Sequence, residues 1–179
     1  ISESVGCVVT NNLALCSNGG LHIDRSRNSR VVGNISRGHR KSPADGYGIE
    51  IVNGNSTNVR VAGNTFESNR YGVYYNSGVS PVSNLLVTNN TIVGGTNGVV
   101  IRDSIGGPYV GFAWNRVTNN RRFGFWITNA IDSFAIGNVI RRNSGAGVVV
   151  TNGRSTFLIR NIVAYNALGG IRLAASSNR

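Results

Sequence analysis

One recurring segment constrains this chain more than any other property. Gly20, Gly48, Gly72, Gly98, Gly124, Gly147 and Gly170 each open a short run of alternating apolar residues, at intervals of 28, 24, 26, 26, 23 and 23 residues. A second marker travels with the first, an asparagine flanked by apolar positions at Asn11, Asn34, Asn64, Asn90, Asn115, Asn138 and Asn161. Alternation over short runs signals β-strand, and a period this short leaves no room for a crossover helix with its turns in every unit. Each repeat is read as one coil of three short strands. The chain is then a single all-β domain, residues 1–179, of about seven parallel coils.

Side chains alternate along a strand, so the core positions follow from the pattern. In the glycine strand the inward residues are Leu21 and Ile23, Ile49 and Ile51, Val73 and Tyr75, Val99 and Ile101, Phe125 and Ile127, Val148 and Val150, Ile171 and Leu173. In the strand before each asparagine they are read as Val59 and Val61, Leu85 and Val87, Val110 and Phe112, Phe134 and Ile136, Phe157 and Ile159; the strand after it adds Phe66, Ile92, Val117, Ile140 and Val163. Asparagine tolerates left-handed backbone angles, and its amide can bond its equivalent one coil away, so the marker is expected to form a self-satisfying column at a turn. A second column is expected five residues later at Asn69, Asn120, Asn143 and Asn166, with Cys16 in that place in the first coil.

This pattern closely resembles the pectate-lyase-like right-handed parallel β-helix superfamily, and the resemblance covers essentially the whole chain. It implies the fold and, as a common use of that fold, a groove for a polysaccharide along one strand face. It names no reaction, because lyases, epimerases, hydrolases, phage tailspikes and structural stalks share the repeat.

Charge narrows the partners. Eighteen basic residues face seven acidic ones for a formal +11, and all but Lys41 of the basic ones are arginine. Such a surface attracts acidic polysaccharide, nucleic acid or an anionic membrane face. Nucleic acid is disfavoured by the thin aromatic surface and the lack of a recognition motif, and the groove that the resemblance implies makes acidic polysaccharide the expected partner. No cofactor or metal site is expected. Cys7 and Cys16 are too few for a disulfide framework and are read as small buried hydrophobes. No apolar run approaches the ~20 residues that span a bilayer. The expected location is extracellular, on a cell surface or in a phage particle. With no amphipathic helix to cover either end, the stack is expected to be completed by flanking segments of a longer protein or by self-association.

Function in repeat proteins gathers where insertions interrupt the coil. From the asparagine to the next glycine the distance is 8 or 9 residues in six coils but 14 from Asn34 to Gly48, and the extra stretch carries His39, Arg40, Lys41 and Asp45. The connections through 76–84 and 103–109 are also long. Outward from the glycine strand the middle column reads His22, Glu50, Tyr74, Val100, Trp126, Val149, Arg172; a parallel column reads Asp24, Val52, Asn76, Arg102, Thr128, Thr151, Ala174. Coils ~4.8 Å apart place His22, Glu50 and Tyr74 within about two sugar rings of one another. The candidate chemistry is proton transfer by His22 or Tyr74 with Arg102 or Arg40 neutralising a uronate, or hydrolysis with Glu50 and Asp24 as acid and base. Trp126 offers a plate for a sugar ring, and Arg121, Arg122, Arg141 and Arg142, with Arg37 and Arg70, form a basic ridge for the polymer. The alternative is a non-catalytic stack, a tailspike shaft or adhesin module that grips glycan or provides length.

Overall fold

β-branched and aromatic residues at every second position suit a pleated, half-buried surface, and here 22 short strands form with no helix among the described residues. The computed structural model describes residues 1–40, 45–52, 54–106 and 110–174. Three parallel sheets run the length of the stack. The glycine sheet contains Leu21–Asp24, Tyr47–Val52, Tyr71–Asn76, Asn97–Arg102, Phe125–Thr128, Val148–Thr151 and Ile171–Ala174. A second sheet, before the asparagine, contains Val8–Thr10, Arg30–Val32, Thr57–Ala62, Gly78–Thr88, Val110–Ala113, Ser133–Ile136 and Phe157–Ile159, with Ser104–Gly106 beside Gly78–Thr88. The third, after the asparagine, contains Leu13–Leu15, Ile35–Arg37, Thr65–Glu67, Thr91–Val93, Arg116–Thr118, Val139–Arg141 and Ile162–Ala164. Each strand pairs with its equivalent one coil away, which makes the chain a right-handed parallel β-helix.

The registers align the expected core. Ile49, Val73, Val99, Phe125 and Val148 are consecutive partners, and all are buried. The marker is glycine for reasons of space. A Cβ on Gly124 would lie 2.4 Å from Ile140 Cγ2 and 2.6 Å from the Gly147 carbonyl oxygen, so chain, core and neighbouring coil meet where only a hydrogen fits.

The asparagine column forms, with a direction. Asn34, Asn64, Asn90, Asn115 and Asn138 each donate both backbone N–H and Nδ2 to the Oδ1 of the next asparagine, at 2.8–3.0 Å. Two details of the sequence reading are corrected. The left-handed residue is the one before each ladder asparagine: Gly33, Gly63, Asn89, Trp114, Gly137 and Arg160 all have positive φ. In the first coil it is Asn11 that takes that conformation, and Asn12 that donates to Asn34 Oδ1. The second column shows the same offset, so Ser17, whose N–H meets His39 Nδ1, holds the place assigned to Cys16. Cys16 is left-handed and exposed.

A third correction concerns the strand Ser133–Ile136. Ala135, not Phe134, is in register with the buried Phe112, and Leu158 follows Ala135. Phe134, Ile136, Phe157 and Ile159 therefore face outward, and Phe134 stacks on Phe157 with centroids 5.0 Å apart. Phe112 and Phe125, in edge contact at 6.4 Å, already fill this layer of the interior, so the small Ala135 packs where a further ring would overfill it.

Candidate active-site face

The outward column of the glycine sheet is assembled as expected: His22 pairs with Glu50, Glu50 with Tyr74, Tyr74 with Val100, Val100 with Trp126, Trp126 with Val149 and Val149 with Arg172. Strand alternation alone brings His22, on Leu21–Asp24, against Glu50, on Tyr47–Val52. His22 Nδ1 lies 2.9 Å from Glu50 Oε2, with His22 exposed and Glu50 half-buried. The carboxylate fixes the ring through Nδ1 and leaves Nε2 for a substrate proton. A cleft of about 310 Å³ opens beside the pair, lined by Asn18, Gly20, Leu21, Asp45 and Tyr47 as well as the pair itself.

The sequence reading missed the neighbours of Tyr74. The residue before the glycine is Tyr47 in one coil and Tyr71 in the next, in register with each other and both half-buried. With Tyr74 they form a triangle of rings at 4.8, 5.5 and 5.6 Å. Burial, and after it the Glu50 carboxylate, hold the Tyr47 phenol above its usual range, so it remains a neutral donor beside the His22–Glu50 pair. Arg70 lies over Tyr71 at 5.5 Å. Two coils beyond Tyr74, Phe123 and Trp126 form a second aromatic pair, 6.0 Å apart, with Arg122 over Phe123 at 5.9 Å. The same position before the glycine would have revealed both groups in the sequence. Between them the column is closed at Val100, only 1% exposed.

Other expected residues are placed differently. Asp24 is 7% exposed, accepts from Ser2 Oγ and pairs with Arg25, so it is engaged away from Glu50. Arg102 is exposed, but its Nε donates to Asp103 at 2.8 Å. The Asp103 carboxyl is held below the usual range, chiefly by the Asn129 amide and also by Arg102. His39 is wholly buried in the second ladder: its backbone N–H donates to Asn69 Oδ1, and Nδ1 faces Ser17. It serves the stack and does not reach a groove. Arg40 is exposed and its guanidinium donates to the Ser68 carbonyl, whereas Lys41 lies outside the described residues, as does 42–44 of the inserted loop. Arg121, Arg122 and Arg142 are exposed and Arg141 half-buried, at the turn that leads into the glycine sheet. Among the described residues no three of His, Cys, Asp and Glu lie close enough to hold a metal.

A family profile described as "Periplasmic copper-binding protein (NosD)" matches residues 1–179. No curated protein matches the chain in sequence. Among solved structures, the A-module of mannuronan C-5 epimerase AlgE6 from Azotobacter vinelandii is similar at 13% identity and a TM-score of 0.48, over 96% of this chain and 58% of that one.

Proposed function

This chain belongs to the NosD family, and from that premise we propose that it is an exported β-helix that acts on an acidic polysaccharide along its glycine-sheet face. The observation that carries the reading is the His22–Glu50 pair at 2.9 Å, set beside the Tyr47, Tyr71 and Tyr74 rings. His22 Nε2 takes the proton from the carbon that bears a sugar carboxylate, and Glu50 stabilises the resulting imidazolium. The Tyr74 phenol supplies a proton, either to the departing glycosidic oxygen in an elimination or to the opposite ring face in an epimerisation. A hydrolytic pair of Glu50 and Asp24 is disfavoured because Asp24 is buried and already engaged. The family description places its namesake in the periplasm, which supports an exported location.

That description also names copper, and the donors here do not fit it. Copper is held by clustered imidazole, thiolate or thioether groups, whereas this chain has no methionine, its histidines are in separate settings, one exposed and one committed to a ladder, and among the described residues neither Cys7 nor Cys16 belongs to a group of three His, Cys, Asp or Glu. No step is assigned to copper.

A non-catalytic glycan-binding stack is the second reading. It is favoured by the engagement of Arg102 with Asp103, which leaves one of the two expected uronate counter-ions, Arg102 and Arg40, already paired. Incubation with polyuronates and neutral glycans separates the two, read by ultraviolet absorbance of unsaturated ends, by reducing ends and by NMR of ring configuration. Turnover of a polyuronate that is lost in His22→Ala and Glu50→Gln supports the first reading. Binding without turnover supports the second, and neither binding nor turnover overturns both.

A further inference from the structure

The outer face of the second sheet changes character along the stack. One outward column runs Val8, Arg30, Arg60, Leu86, Gly111, Phe134, Phe157. From Leu86 onward it is apolar, and the neighbouring column contributes Ile136 and Ile159. Leu86 is 39% exposed, and Phe134 and Ile136 are half-buried along the same face. At the corner of this face stands Trp114, 60% exposed and in the left-handed conformation at φ 56°. The ladder turn imposes that conformation at this position in successive coils, where glycine or asparagine stands at Gly33, Gly63, Asn89 and Gly137, so a bulky indole here is costly. Its indole lies across Gly137, where a Cβ would be 2.5 Å from Cε3 and Cζ3. The glycine makes a seat for a ring that gains little burial from sitting there.

The rim has one sign. Arg60, Arg116, Arg154 and Arg160 are all exposed, and among the described residues none pairs with a carboxylate. No acidic residue occupies an outward position in the second sheet; the nearest in sequence are Asp132, before Ser133, and Asp103, before Ser104, which is bonded to Arg102 and Asn129. A second copy docking face to face would set arginine against arginine. The complementary occupant is apolar in its interior and anionic on its surface.

We propose that this face docks on an anionic lipid bilayer, with Trp114, Phe157, Ile159 and Leu86 entering the headgroup layer and the arginines meeting lipid phosphates. This stands apart from the glycan groove, which lies on a different sheet. Beside Leu86, a shallow cleft lined by Asn58, Asn84 and Arg60 offers the Arg60 guanidinium to a headgroup, the two amides being bonded in a ladder with Asn28.

The test uses the full chain carrying Trp126→Phe, so that Trp114 is the one indole. With vesicles of equimolar phosphatidylglycerol and phosphatidylcholine, the chain co-sediments, its emission shifts to the blue, and acyl-brominated lipid quenches it. Pure phosphatidylcholine binds at least tenfold more weakly. Trp114→Asn with Phe157→Ser lowers binding at least tenfold while circular dichroism keeps its β-spectrum, since asparagine suits the left-handed backbone. Arg60→Gln with Arg116→Gln lowers binding to the anionic vesicles and leaves the residual binding to phosphatidylcholine unchanged. Failure to co-sediment overturns the proposal. So does equal binding by the Trp114→Asn, Phe157→Ser chain, which would assign the attraction to the basic ridge, or a blue shift that grows with protein concentration without lipid, which would assign the face to self-association.

Discussion

Replacing Asn115 by leucine tests the ladder at its centre. Asn115 Oδ1 accepts both the backbone N–H and Nδ2 of Asn90, and its own Nδ2 donates to the Val87 carbonyl and to Asn138 Oδ1. Leucine, with the same number of side-chain heavy atoms but a bulkier, tetrahedral Cγ, removes all of these while the site stays closed to water. The Asn90 N–H loses its acceptor, which costs about 1–3 kcal/mol for a buried donor. The second hydrogen of Asn90 Nδ2 and the Val87 carbonyl add about 0.5–1.5 kcal/mol each, partly offset by the apolar side chain. The net loss is about 2–4 kcal/mol, or about 5–15 °C in Tm for a chain of this size. Asn152→Gly is the control: its amide bond to Asn129 is exposed and its φ is 50°, so glycine costs about 0.5 kcal/mol or less. Urea melts followed by circular dichroism give the difference, and hydrogen exchange of the Asn90 amide locates it. A loss below about 1 kcal/mol, or one no larger than in Asn152→Gly, refutes the claim that the buried amides are an obligatory column.

Gly124→Ala should cost more than about 2 kcal/mol, because the new methyl meets a backbone oxygen and a core isoleucine, whereas Gly19→Ala, with open space around it, should be nearly neutral in the same melts. Alkaline titration should show two late tyrosines. Burial pushes the Tyr75 phenol up to about 12 and also raises Tyr47, so the folded chain holds protons that the unfolded chain releases near about pH 10. The stability these neutral phenols contribute is complete below that pH and is lost as pH rises toward 12; absorbance at the phenolate band and Tm against pH check both, and six tyrosines ionising together would contradict the assignment. If Arg121, Arg122 and Arg142 hold the polymer, binding to a polyuronate should weaken steeply with salt and less steeply in Arg121→Gln with Arg122→Gln, measured by calorimetry at several ionic strengths; an unchanged slope removes the ridge.

The coil, its three strands and both amide columns were legible because a period of 23 to 28 residues repeats often enough to average out exceptions. Side-chain direction was legible wherever one residue in each pair was plainly apolar, as at Ile49 and Glu50. It failed at Phe134 and Ala135, where both are apolar and packing volume decides. Counting three residues back from each ladder asparagine, as from Asn90 to Val87 and from Asn115 to Phe112, gives Ala135 from Asn138 and would have corrected it. The His22–Glu50 contact followed from register, and the place of His39 in the second ladder was open to the same count, since it stands five residues after Asn34; the burial of Asp24 against Ser2 of the preceding coil was not, because no repeat carries that contact.

Coil length matters little to the ladder. Between bonded asparagines the chain runs 30, 26, 25, 23 and 23 residues, yet the bond lengths stay within 2.8–3.0 Å. Each amide resets the register, so slack accumulated in a loop is discharged within its own turn and never propagates. Such a scaffold is modular in the way of a bookshelf: a whole unit from one asparagine to the next can be duplicated or excised and the remaining shelves still meet. Variation is thereby confined to the loops that border the faces, so a lineage can redesign what the surface holds without renegotiating how the chain stands.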